Sequence, residues 1–368
     1  MELFIPTKIH FANHAISLYK EELARLGSKA MIVTGRTSSK KNGSLKELTD
    51  ALTSLSIPFL LFDEVEENPS LETIERAVGL AVEEGVDFFI GLGGGSPMDA
   101  AKAISLLCKN HPLESQILFT PKELAYYPLV EIPTTSGTGS EVTPYSILTL
   151  HAKRTKQGIS HKVYPALALV DYKFLKFTSA NQLISTCVDA LAHLVESYLN
   201  SNSNVYNELY AKEGLSIWGG LKEHLLSLEQ EPILEDFIYE GFMHASLLAG
   251  MAITHTQTSL PHGLSYPLTY EAGISHGKAV AIFLPGYLKV FQNQKRVKQV
   301  LSFLGFSSIE DFCKYLEAIL GRVNIATSLW EEDCRMLLEN PAKLKNFPYP
   351  VDSSTLQNIQ NFSLLDLS

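Results

Sequence analysis

Asp189 and His193 stand four residues apart in Leu183-Ile184-Ser185-Thr186-Cys187-Val188-Asp189-Ala190-Leu191-Ala192-His193. That stretch has a helical pattern, so a carboxylate and an imidazole share one face, a turn apart. His262 and His276 follow, fourteen residues apart and each directly before a glycine. One carboxylate oxygen and three neutral imidazoles suit a divalent first-row metal, Fe²⁺ or Zn²⁺. Alone, an Asp-x₃-His pair is more often a helix surface pair; the two added histidines turn it into a candidate ligand set. The remaining histidines, His10, His14, His111, His151, His161, His224 and His244, lack partner spacing and read as surface or structural, and His255 is set aside as a ligand. Zinc-finger spacing and HExxH are both missing.

A second chemistry lies upstream. Gly91-Leu92-Gly93-Gly94-Gly95-Ser96-Pro97-Met98-Asp99 follows an apolar strand and opens a helix. Glycines let backbone approach a phosphate, and a helix N-terminus offers free N–H groups and a positive dipole end. Pro97 suits the first helical turn, and Ser96 can cap it. A tight structural turn is the competing reading, since no Lys-Ser/Thr pair makes this a Walker A loop. Pro133-Thr134-Thr135-Ser136-Gly137-Thr138-Gly139-Ser140-Glu141 follows the next strand, where α/β proteins bind ligands. Gly35-Arg36-Thr37-Ser38-Ser39-Lys40-Lys41-Asn42-Gly43 has no acid near the strand end to grip a ribose 2′-hydroxyl. Its hydroxyls and lysines could instead receive a 2′-phosphate, which favours NADP over NAD. A metal beside a dinucleotide points to redox chemistry on a small alcohol or carbonyl.

The elements that must position these residues fall in two blocks. Strands at Ala30–Thr34, Pro58–Phe62, Asp87–Leu92 and Leu129–Pro133 alternate with helices at Ser44–Ser56, Ser70–Gly85 and Pro97–Lys109. Such alternation predicts βαβ units and a mostly parallel sheet. Beyond Ser179 β-rich runs are scarce, and long helices are expected over Asn181–Leu199, Ser203–Leu228 and Glu235–Gly250, with Pro285 and Pro341 marking turns. The division is therefore an α/β dinucleotide-binding domain over 1–178 and an all-helical metal-binding domain over 179–368. A length of 368 residues favours two domains. A net charge of −10 argues against a nucleic-acid surface. No apolar run is long enough to span a bilayer. Met1-Glu2-Leu3-Phe4-Ile5-Pro6-Thr7 lacks the plan of a signal peptide, so a cytoplasmic protein is expected. Cys108, Cys187, Cys313 and Cys334 form no CxxC pair and read as reduced thiols. Lys8-Ile9-His10-Phe11 could form an edge strand that pairs between subunits, giving a homodimer.

The segments quoted above, with Val142-Thr143-Pro144-Tyr145-Ser146, resemble the iron-containing (group III) alcohol dehydrogenases over essentially the whole chain. The match is closest to their thermophilic NADP-dependent 1,3-propanediol dehydrogenase type. The resemblance implies a dehydroquinate synthase-like two-domain fold with its active site in the interdomain cleft. It implies that Asp189, His193, His262 and His276 ligate the metal and that Gly94, Gly95 and Ser96 bind the pyrophosphate. Asp99 is similar to an aspartate on the nicotinamide side, and Thr134, Thr135, Thr138 and Tyr145 to cofactor contacts. Ser38 and Ser39 fall in the segment expected at the 2′-phosphate, and Lys156 is similar to a lysine that reaches the ribose. Many members carry a histidine four residues after the first metal histidine of the second pair; here it is Tyr266, which could relay the proton instead. The implied reaction is hydride transfer between NAD(P)(H) and a small primary alcohol, diol or aldehyde. A 3-dehydroquinate synthase-like lyase and a non-catalytic metal or nucleotide binder remain as alternatives.

Overall fold

A computed structural model describes residues 4–228, 233–340 and 344–368. The chain separates into two compact units, Ile5–Thr178 and Ser179–Ser368, the latter joined by Phe4.

The first unit is built on six strands: β1 (Lys8–Phe11), β2 (Ala30–Gly35), β3 (Phe59–Val65), β4 (Phe88–Gly93), β5 (Leu129–Pro133) and β8 (Leu167–Val170). Their order is β1-β8-β5-β4-β2-β3, and every pairing is parallel. Helices α1 (Ser44–Ser54), α2 (Leu71–Glu83) and α3 (Gly95–Lys109) connect them. Along β2, Ala30 and Ile32 join the cluster containing Leu48 and Leu52 of α1. Met31 and Val33 join the opposite cluster, with Ile74 and Ala77 of α2 and Ala103 and Leu107 of α3. Covering both faces explains why these strands read as unbroken apolar runs rather than alternating ones. From β2 the chain steps to β3 on one side; from β4 it steps to β5 on the other. The carboxyl ends of β2 and β4 thus flank a topological switch point, where open α/β sheets take ligands. An antiparallel hairpin, β6 (Ile147–Leu150) with β7 (Thr155–Gly158), was not visible as strands in the sequence.

The second unit is helical: α4 (Ala180–Tyr198), α5 (Val205–Leu221), α6 (Asp236–Thr256), α7 (Leu260–Glu271), α8 (His276–Ala281), α9 (Leu284–Val290), α10 (Gln294–Leu304), α11 (Ile309–Leu320), α12 (Thr327–Leu338) and α13 (Ser353–Asn361). One short parallel ladder, β9 (Val323–Ile325) with β10 (Leu365–Leu367), departs from the all-helical expectation. Ser179 caps α4, its hydroxyl accepting from Gln182 N–H at 3.4 Å. Trp218 of α5 is fully buried and donates from Nε1 to the Cys187 carbonyl at 2.8 Å, tying α5 to α4. The helix expected over Ser203–Leu228 stops at Leu221 and resumes as a single turn, and the one expected to end at Gly250 runs to Thr256. Pro285 sits in the first turn of α9, where its missing N–H is harmless. Pro341 and Met1–Leu3 lie outside the described residues. Among those described, no helix is long and apolar enough to cross a membrane.

Candidate metal centre and cofactor loops

In the helical unit, Asp189 and His193 project from α4, His262 stands in the first turn of α7 and His276 opens α8. Ligand atoms of Asp189, His262 and His276 all lie within 4.8 Å of one another. His262 Nε2 is 3.6 Å and His276 Nε2 3.7 Å from Asp189 Oδ1. The His193 ring stacks on His262 at 4.5 Å between centroids, so the fourth expected ligand adjoins the trio. The backbone brings these helices close because position 277 is glycine. A Cβ there would run into the Ser185 carbonyl and sit 3.1 Å from Asp189 Cβ, so any side chain would hold α8 away from α4. Ser185 Oγ also donates to Ser275 Oγ at 3.0 Å.

The donor set fits a cation. Asp189 Oδ1 and His262 Nε2 are buried polar atoms with no hydrogen-bond partner, which is costly unless something else meets their lone pairs. Burial alone would push the Asp189 carboxyl up, but the His193, His276 and His262 imidazoles hold it well below the usual range. Burial likewise opposes charge on His262, yet the Glu196 and Asp189 carboxylates raise it to about 10. A positive charge is what this pocket stabilises. Asp189 and His262 are both 4% exposed and His276 is 29% exposed, so the site opens on the His276 side. Tyr266, whose ring lies 6.3 Å from that of His276 and nearly parallel to it, is at the same accessible edge.

Glu196 was missed in the sequence. Fully buried one helical turn beyond His193, it meets His262 Nδ1 with Oε2 at 2.5 Å. The signal was available, since positions 189, 193 and 196 share a helical face.

A second trio, His14, Glu47 and Asp171, also brings ligand atoms within 4.8 Å of one another. It differs because its groups are engaged: Asp171 accepts from His14 N–H at 2.7 Å and Lys173 N–H at 2.9 Å, and Glu47 accepts from Ser17 Oγ at 2.7 Å. It ties loops together, as a structural His14 requires.

In the first unit, α3 begins at Gly95 with Gly94 as its N-cap, not Ser96. Ser96 Oγ instead accepts from Asn68 N–H at 3.0 Å, and Lys156 Nζ donates to Asn68 Oδ1 at 2.7 Å. Asn68 thus bridges the glycine-rich turn and Lys156. A Cβ on Gly95 would stand 2.7 Å from Thr138 Cγ2, and one on Gly94 3.2 Å from Thr135 Oγ1. The start of α3 has no side-chain cap and stands beside two partly accessible threonines. Thr134 is buried, its N–H bonded to the Gly93 carbonyl at 2.8 Å.

Asp99 follows the glycine-rich turn on α3. Its carboxylate accepts from Ser140 Oγ at 2.7 Å and Ile147 N–H at 2.8 Å, fastening the loop after β5. Fully buried Lys102, one turn on, donates to the Ser140 and Tyr145 carbonyls at 2.7 and 3.0 Å. Ser39 departs from expectation: it is fully buried, and its hydroxyl meets Thr34 Oγ1 at 2.8 Å, whereas Ser38 is exposed. Lys40 pairs with Asp63 of β3 at 2.5 Å, and Lys41 remains exposed.

Comparison with known proteins agrees with both halves. The family profile "iron-containing alcohol dehydrogenase" matches residues 6–172, and that of the C-terminal part of the same family matches residues 183–354. The crystal structure of an iron-containing alcohol dehydrogenase from Thermotoga maritima is 37% identical, superposes with a TM-score of 0.90 and covers 98% of each chain. The long-chain primary alcohol dehydrogenase of Thermoanaerobacter ethanolicus is 29% identical over 78% of this chain and 73% of its own. The NADPH-dependent butanol dehydrogenase of Clostridium saccharobutylicum is 27% identical over 90% of this chain and 86% of its own. With a glycine-rich turn at the switch point, a cation-seeking trio in the helices and both family profiles in order, the chain belongs to the iron-containing alcohol dehydrogenase family.

Proposed function

We propose that this oxidoreductase moves a hydride between NADP(H) and a small primary alcohol, diol or aldehyde, with a divalent ion, Fe²⁺ or Zn²⁺, held by Asp189, His193, His262 and His276. The observation that carries the reading is the pair of orphaned buried atoms, Asp189 Oδ1 and His262 Nε2, that converge with His276. When bound, such an ion stabilises negative charge on the substrate oxygen while the nicotinamide takes or gives the hydride.

This chain's residues supply positioning. The N–H groups of Gly95 and Ser96, at a helix start without a side-chain cap, would hold the pyrophosphate, with Thr135 and Thr138 beside them. Exposed Ser38 and Lys41, in the segment after β2, would meet a 2′-phosphate, which favours NADP by charge complementarity. The NADPH dependence of the Clostridium relative supports the same preference. Asp99 and Lys102 hold the loop that carries Tyr145. Tyr266, at the accessible edge beside His276, is placed to pass a proton between substrate and solvent. A homodimer formed along the β1 edge of the sheet and a cytoplasmic location complete the proposal. The similar proteins are dehydrogenases, which disfavours the lyase alternative.

The test is an absorbance assay of NADPH and NADH oxidation over an aldehyde panel, with apoenzyme and with enzyme loaded with Fe²⁺ or Zn²⁺. Metal-dependent reduction of short aldehydes, faster with NADPH, is expected. Equal turnover by metal-free protein would reject the ligand set, and a strong preference for NADH would reject the 2′-phosphate assignment.

A further inference from the structure

We propose that Glu196 is a positioning residue that sets the metal-binding tautomer of His262 and locks α7 to α4 around the ion. The inference rests on the metal reading above. Glu196 is fully buried and makes three contacts with one short segment. Its Oε1 accepts from the His262 backbone N–H at 3.0 Å. Its Oε2 accepts from Ser259 N–H at 3.2 Å and lies 2.5 Å from His262 Nδ1. A carboxylate oxygen has no proton to give, so the proton of that last bond sits on Nδ1. When the ring is neutral Nε2 then carries the lone pair, and it is the nitrogen that faces Asp189 Oδ1 at 3.6 Å without a hydrogen-bond partner. The same carboxylate therefore holds the backbone and the ring of one residue, fixing both where the imidazole sits and which nitrogen it presents.

The site of attachment strengthens the case. Ser259 and His262 begin α7, whose Ser259 N-cap supplies no side-chain cap. Glu196 reaches across from another helix to take two of the orphan N–H groups, at the end where the dipole favours a negative group. Asp189 lies seven residues earlier on α4, about 10 Å along the same rod. Ligand and support thus share one rigid element, and the spacing of α4 determines the separation of Asp189 from His262.

The test uses the full chain stripped of metal and titrated with Co²⁺ against a competing chelator, with the visible absorption bands reporting coordination geometry. In Glu196→Gln the amide can turn its NH₂ toward Nδ1, which places the proton on Nε2, the ligand atom. Affinity is expected to fall about 10- to 100-fold, as for other outer-shell partners of metal-bound histidine, with weakened or shifted bands. Glu196→Asp, which retains a carboxylate, should recover part of the loss, and NADPH binding measured by fluorescence should stay unchanged in both. Wild-type affinity and bands in Glu196→Gln, with His262→Ala unable to bind, would overturn this proposal and leave the metal reading standing. No Co²⁺ binding by the wild type would overturn the metal reading itself. Should Glu196→Gln not fold, ¹⁵N-histidine NMR of the Zn²⁺-loaded wild type decides: Nδ1–H with Nε2 bound is expected, and the reverse tautomer overturns the proposal.

Discussion

Glu131 in the α/β unit and Asp189 in the helical unit are both buried carboxyls, and their surroundings act on them in opposite ways. In the α/β unit, Glu131 of β5 is fully enclosed, in the room that side-chain-free Gly91 leaves beside it, and neither of its carboxyl oxygens has a partner. Burial raises it well above the usual range, and burial also raises neighbouring Glu141 to about 7. The nearby cation, Lys102, gives its hydrogen bonds to Ser140 and the Tyr145 carbonyl. In the helical unit, Asp189 is equally enclosed, yet three imidazoles hold it below its ordinary value. The lesson is that burial alone does not mark an ion site. What marks one is a buried carboxylate facing nitrogen lone pairs that nothing else satisfies. Glu131, beside the glycine-rich turn, faces no such nitrogens, whereas Asp189 faces three imidazoles.

The strongest way to break this comparison is His262→Ala. Turnover should fall about a thousandfold, the scale of losing several kcal/mol of charge stabilisation, with metal content by mass spectrometry falling in parallel. Retained metal would put the ion elsewhere.

The acids of the α/β unit make an opposite prediction, in stability. Glu141 binds its proton up to about pH 7 when folded but only to the ordinary carboxylate value when unfolded. The folded state therefore holds the extra proton between those values, and stability falls as pH rises through that window. This contribution is on the order of 3 kcal/mol, and Glu141→Gln should remove it in urea unfolding followed from pH 4 to pH 8. Glu131, also raised by burial, contributes a decline of the same sign, so Glu141→Gln should remove only part of the total slope. An unchanged slope in the variant would mean that Glu141 is ionised in the fold.

Two glycine substitutions sharpen the contrast between units. Gly277→Ala forces α8 off α4 and should destabilise the protein by about 1–3 kcal/mol, the range for overpacking, with weaker Zn²⁺ binding and unchanged NADPH affinity. Gly95→Val should do the reverse: the new side chain collides with Thr138, and NADPH should bind about tenfold more weakly, worth some 1.4 kcal/mol, with full metal content. If each glycine affected both ligands alike, the two sites would not be separable in this way.

Much of this was legible in the sequence, for reasons that differ by region. The glycine-rich turn is contiguous with the helix it opens, so the helix expected at Pro97–Lys109 was legible; it begins two residues earlier, at Gly95. Asp189 and His193 were visible through helical spacing. Ser39 was misread because an exposed loop and a buried turn look alike in one dimension; here the hydroxyl turns inward onto Thr34. Asp63 was overlooked as the partner of Lys40 because strand order, not sequence order, brings the two together.

By itself the sequence determined which local units form, because helix spacing, glycine turns and apolar runs act over a few residues. It also supplied the ligand types. Only the tertiary structure decided which atoms are left without partners, because satisfaction depends on neighbours far along the chain. Glu196 reaches His262, Asn68 joins Ser96 to Lys156, and Gly277 lets α8 settle against α4. Those approaches turn scattered histidines into a pocket shaped for a cation.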